Sequence, residues 1–194
     1  MRTETIGVRI GVGALAALAL ASQGLAAPVA KWATDATNSK IGFKGAMNGA
    51  AFTGAFRRWT ADIAFDPKNL AASKAVVVVD VSSAATGDAD RDQALPTADW
   101  FSAGRFPKAT FATSSIKNTG GDHYVAQGTL SMRGVTRPVA LPFTLDIAGD
   151  TARMNGSVTL DRTAFGIGQG QWANGQVVDT KVAVVVAVTA HRVR

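Results

Sequence analysis

The sequence predicts an all-β domain, an antiparallel barrel or sandwich with one short helical insertion. Three observations carry this reading. Apolar and polar residues alternate through several segments, as in strands with one buried face. Turn-forming residues separate those segments at short intervals. Glu4 is the only glutamate, every other acidic residue being Asp, and Asp favours turns and caps where Glu favours helix interiors.

The elements follow in chain order. Strands are predicted at Ser39–Gly45, Ala51–Arg58, Ala61–Asp66 and Ala75–Ser82, with a turn at Asp66-Pro67-Lys68-Asn69. A helix is predicted over about Asp88–Ala98, with Asp88 or Asp90 as its N-cap. Ala109–Lys117 is the next strand, ended by Asn118-Thr119-Gly120-Gly121-Asp122. In Tyr124–Arg133 the even positions are mostly apolar. In Val139–Ile147 the odd ones are. In Arg153–Asp161, Met154, Gly156, Val158 and Leu160 point one way and polar residues the other. Arg133-Gly134 and Gly149-Asp150 separate these runs, and Thr180–Arg192 is the last strand. No repeat, low-complexity tract or linker divides the chain, which points to one domain.

The first 27 residues read as an export signal rather than as part of the fold. Arg2 and Arg9 precede or flank the apolar run Ile10–Ala21, and the small residues Gly24, Ala26 and Ala27 follow. That run is shorter than the ~20 residues of a membrane span. The expected domain is therefore residues 28–194, exported to a bacterial periplasm. With no cysteine in the chain, packing alone must hold it together.

The chain is basic, with a formal net charge of +6. The positive residues are scattered, Arg57-Arg58 being the densest group, and no helix carries a basic stripe. This pattern argues against nucleic-acid binding. It fits solubility and at most a transient attraction to anionic membrane surfaces.

Several segments are strongly patterned beyond their alternation. Arg91-Asp92, Leu95, Asp99-Trp100-Phe101, Phe106-Pro107 and Ala109-Thr110-Phe111 occur in that order. Gly128 to Val139 contains Gly-x-Leu and then Gly134-Val135-Thr136-x-Pro138-Val139. Leu160 to Gly168 contains Leu-x-Arg-x-x-Phe-Gly-Ile-Gly. Together with Trp32, Phe43, Gly54-x-Phe56 and Trp59, these segments resemble the YceI-like family of periplasmic lipid-binding proteins. The resemblance covers nearly all of residues 28–194. It implies an eight-stranded antiparallel lipocalin-like barrel that binds a long isoprenoid lipid, a polyprenyl chain or a quinone tail, as ligand, with no further cofactor. Many members carry a His soon after the phenylalanine of the first long strand. Here Met47 lies near that place, so no role of that His carries over.

The residues themselves allow two interiors. A small closed barrel is either filled by its side chains or encloses one ligand. Ala126, Gly128, Val139, Gly156 and Val158 on the inward faces are small or medium-sized, which leaves room. Strands of about ten residues, ~33 Å long and tilted by about 40°, would make a barrel about 25 Å tall. The candidate ligand-binding residues are Phe43, Phe56, Trp100, Phe101, Phe111, Leu130, Met132, Leu141, Phe143, Met154, Val158 and Phe165. Trp100, Phe101 and Phe106 either gate one mouth or plug it.

Catalysis finds little support. The histidines are His123 and His191, no cysteine is present, and no metal site is expected. No G-x-S-x-G elbow occurs. Gly166-Ile167-Gly168-Gln169-Gly170 lacks the following helix of a phosphate loop and reads as a turn between the last two strands. Arg91 with Asp92, and Arg162 beside Asp161, read as ion pairs that fix local structure; a head-group enzyme built on them is the weakest reading. The leading expectation is a carrier or sequestering protein for the isoprenoid lipid, not an enzyme. The alternative is a solid barrel whose surface contacts an envelope partner. Exposed strand faces could support a homodimer.

Overall fold

The computed structural model describes residues 29–194. The 1–27 segment read as an export signal lies outside the described residues. Eight antiparallel strands follow one another around a closed barrel, and the first three are each broken in two. β1 (Lys31–Thr34) and β2 (Lys40–Met47) form the first. β3 (Ala50–Phe56) and β4 (Trp59–Ala64) form the second. β5 (Lys74–Asp80) and β6 (Ala84–Ala85) form the third. The remaining five are β7 (Lys108–Gly120), β8 (His123–Met132), β9 (Val135–Ala148), β10 (Thr151–Asp161) and β11 (Lys181–Arg192).

The breaks have local causes. Between β1 and β2 the Asp35 carboxylate accepts the N–H groups of Thr37 and Asn38, turning the chain. After β5 the Asp80 carboxylate accepts the N–H of Ser82 and caps a 3-10 turn over Val81–Ser83. The strand expected to reach Ser82 therefore stops at Asp80. Closure runs through β11, which pairs with β1 at Trp32↔Arg192 and with β2 at Ile41↔Val186.

Pairing is set by alternation and turn chemistry together. The β8–β9 hairpin turns on Arg133 and Gly134, with φ of 50° and 76°. Two left-handed residues make the turn whose twist matches antiparallel strands. This tight turn lets β9 begin at Val135, earlier than the expected Val139. The strand β1 was not anticipated, because four residues are too short for a periodic signal.

The helix α1 (Ala89–Ala94) is shorter than the expected Asp88–Ala98. Asp88 caps it by accepting the N–H of Arg91. Pro96 ends it, since a proline has no N–H to continue the ladder beyond Leu95, whose own N–H still reaches the Arg91 carbonyl. Residues 95–107 then fold across one end of the barrel.

Inward residues form two apolar clusters, one towards each end. One gathers Trp32, Phe65, Ile116, Tyr124 and Leu141. The other gathers Phe43, Val81, Phe101, Phe165 and Ile167.

Candidate ligand-binding site

Small side chains line the middle of the barrel. Register places Val77, Val139, Val158, Val184 and Val186 on the inner face. All five are only half-buried, whereas a packed core would bury them fully. The inward positions next to these valines are apolar, and the inward-register arginines, Arg137 and Arg192, lie towards the strand ends; the middle suits an extended hydrocarbon chain.

Two seams interrupt the hydrogen bonding of the wall. On one side the β2–β3 ladder ends at Ile41↔Phe56 and the β1–β4 ladder ends at Trp32↔Ile63. No pairing joins these strands between the two ladders. A cleft of about 980 Å³ opens there. Its lining includes Phe56 and Trp59 from the inner face and Lys40, Arg57 and Lys108 from the outer face. On the other side the β9–β10 ladder ends at Phe143↔Gly156, although both strands continue. Pro138 and Pro142 lie on this stretch of β9, while its ladder to β8 is unbroken across them. A proline removes a ladder donor, so the free side is where these two are tolerated.

The end beside α1 is plugged. Phe101 is buried in the second cluster, while Trp100 and Phe106 are half-buried. Trp100 stands 5.8 Å from Trp172, and the Arg162 guanidinium lies 5.4 Å from its ring centre. Phe106 lies against the Gly134 turn.

The structure distributes the twelve candidate residues over both clusters. Phe111, Leu141, Phe143, Met154 and Val158 belong with the first. Phe43, Phe56, Trp100, Phe101, Leu130, Met132 and Phe165 belong with the second. Phe56 alone among them lines the cleft. Sequence reasoning did not assign Trp59, Lys40 or Lys108, which also line the cleft, to a site; the Arg57-Arg58 doublet was the one visible signal.

Both expected ion pairs dissolve. Arg91 pairs with Asp88 at 3.4 Å, not with Asp92. Asp92 instead accepts from the hydroxyl and N–H of Thr86, and these bonds hold its carboxyl below the usual range. Asp161 pairs with Lys181 at 3.0 Å, not with Arg162. Arg162 is 4% exposed and donates to the carbonyls of Asp179, Ile167, Gly168, Trp172 and Val178. Burial lowers its pKa, but a guanidinium stays charged across the accessible range. It organises the connection from β10 to β11, where the Gly166–Gly170 turn lies as expected.

Comparison with known proteins agrees with this architecture. The YceI-like domain profile matches residues 32–190. A UPF0312 protein of Vibrio parahaemolyticus is 34% identical over 109 residues, 56% of this chain and 58% of that protein. Protein YceI of Escherichia coli is 38% identical over 97 residues, 50% of each. The aligned part thus spans about half the length of the curated relatives. Among solved structures, BcnA of Burkholderia cenocepacia superposes with a TM-score of 0.78 at 30% identity, covering 80% of this chain and 98% of that one. A polyisoprenoid binding domain from Saccharophagus degradans, implicated in plant cell wall breakdown, superposes with a TM-score of 0.68 at 16% identity. It covers 85% of this chain and 99% of the other. Eight strands closed through β11, the β8–β9 hairpin and a profile match over residues 32–190 place this chain in the YceI-like domain family.

Proposed function

We propose that this protein binds the apolar chain of a long isoprenoid lipid, a polyprenyl chain or quinone tail, in the barrel interior. It carries or sequesters that lipid in the periplasm without covalent chemistry. The observation that supports this most is the row of inward valines that remain accessible in the middle of a closed barrel. Burial of a hydrocarbon chain against them contributes about 0.8 kcal/mol per CH₂. Twenty buried carbons would give roughly 15 kcal/mol before association costs. Affinity of that origin selects chain length over head group. The polyisoprenoid-binding neighbour of the same architecture adds support.

Mass spectrometry of organic extracts from protein purified out of the periplasm tests the proposal, with native mass spectrometry of the same sample. A stoichiometric long-chain isoprenoid is the expected result. Protein that carries none, and takes up no added polyprenyl or quinone lipid, would sink it.

A further inference from the structure

The open seam between the first two strands has a basic rim. Lys40, Arg57 and Lys108 line the cleft at this seam, and Lys44 projects outward further along β2, beside Gly42 and Val185. All four are exposed, and none forms an ion pair among the described residues. Arg58 is already matched by Asp80 at 2.9 Å. Between these cations the outer wall carries small side chains, with Gly42, Ala55, Val185 and Ala187 beside Thr53 and Thr60. The opposite outer face is different. Gln127, Thr129, Thr136, Asn155, Ser157 and Thr159 make it polar and nearly neutral.

The geometry points to this rim as a docking face for an anionic phospholipid bilayer. A twofold contact with a second copy would set the same four cations against each other, whereas an anionic surface complements them. The only large apolar side chains well exposed among the described residues are Val76 and Val193, so nothing is available to insert deeply. Docking is therefore electrostatic and reversible. It would turn the seam, with Phe56 and Trp59 at its inner edge, towards the membrane. That consequence for lipid transfer rests on the proposed isoprenoid binding; the docking itself does not.

Sedimentation with vesicles tests it, using the full chain as purified. The protein should bind vesicles of equal parts phosphatidylglycerol and phosphatidylcholine and ignore phosphatidylcholine alone. Binding should fade as salt rises to about 0.5 M. Lys40→Gln with Lys108→Gln should weaken it about 25-fold, about five-fold per lost charge, while Arg153→Gln on the other face changes little. Both lysines are exposed, and an unchanged near-ultraviolet circular dichroism spectrum confirms folding. No binding, equal binding to both vesicles, or equal loss with Arg153→Gln overturns the proposal. So does a dimer in sedimentation velocity that the lysine variant dissolves. Isoprenoid retention is scored separately: retention without vesicle binding rejects docking alone, and vesicle binding without retention rejects the lipid cargo alone.

Discussion

The rings of Phe101 and Phe56 meet edge to face, 5.8 Å between centroids and at an interplanar angle of 68°. Phe56 in turn lies 5.3 Å from Phe43. This edge-to-face contact joins the segment after α1 to the barrel wall, so the plug rests on Phe56, the residue of this trio that lines the open seam.

Phe101→Ala should therefore destabilise the protein by roughly 3 kcal/mol, the usual size for a buried aromatic truncated in a packed site. Denaturant melts would show this as a lower midpoint with little change in slope. A loss below about 1 kcal/mol would mean that the plug is not packed as described.

Filling the interior separates a lumen from a core. Val158→Trp places a large ring among half-buried valines and should abolish isoprenoid uptake while leaving a folded barrel. Gly128 is not an equivalent site. A Cβ there would stand 2.4 Å from the Ala112 carbonyl oxygen and 2.9 Å from the Phe111 ring. Gly128→Ala should thus destabilise by about 1–3 kcal/mol through overpacking. If thermal melts showed Val158→Trp to be the more damaging of the two, the interior would be solid.

Alternation in Arg153–Asp161 and Tyr124–Arg133 made the long strands and their inward faces legible, because a period of two survives in any long half-buried strand. The helix cap at Asp88 was legible for a similar local reason. The broken strands were not. β1 is four residues long, and the seam at residues 33–40 arises from pairing partners that never meet, a tertiary property with no local signature. Adjacent charges also misled. Asp161 and Arg162 are neighbours in sequence, but they leave a strand end in different directions, one towards Lys181 and the other into a ring of carbonyls.

That ring makes Arg162 a positioning residue for the 162–179 connection. Arg162→Met removes the donors for five carbonyls and should cost about 3–5 kcal/mol, the range for breaking a buried charged network. Arg162→Lys should recover less than half of this, since a single ammonium cannot fork to carbonyls on both sides. Urea melts of the two variants check the order. Trp172, whose carbonyl accepts from Arg162, should shift its fluorescence in both.

Asp161 links this region to pH. The Thr163 hydroxyl first, and Lys181 second, hold its carboxyl down from 3.8 to about 2. A depressed carboxylate stabilises the folded state above its unfolded pKa and loses that contribution as pH falls through its folded one. The window here runs from about 3.8 down to about 2. The side chain is about a third exposed (34%), so solvent screening reduces the contribution to about 1 kcal/mol. Asp161→Asn keeps an acceptor for Thr163 but loses the attraction to Lys181. The variant should be less stable than the parent by up to that amount near neutral pH, and the difference should shrink once the carboxyl is protonated. Urea midpoints compared near pH 7 and near pH 2 test this. A difference of the same size at both would show that the carboxylate charge contributes nothing.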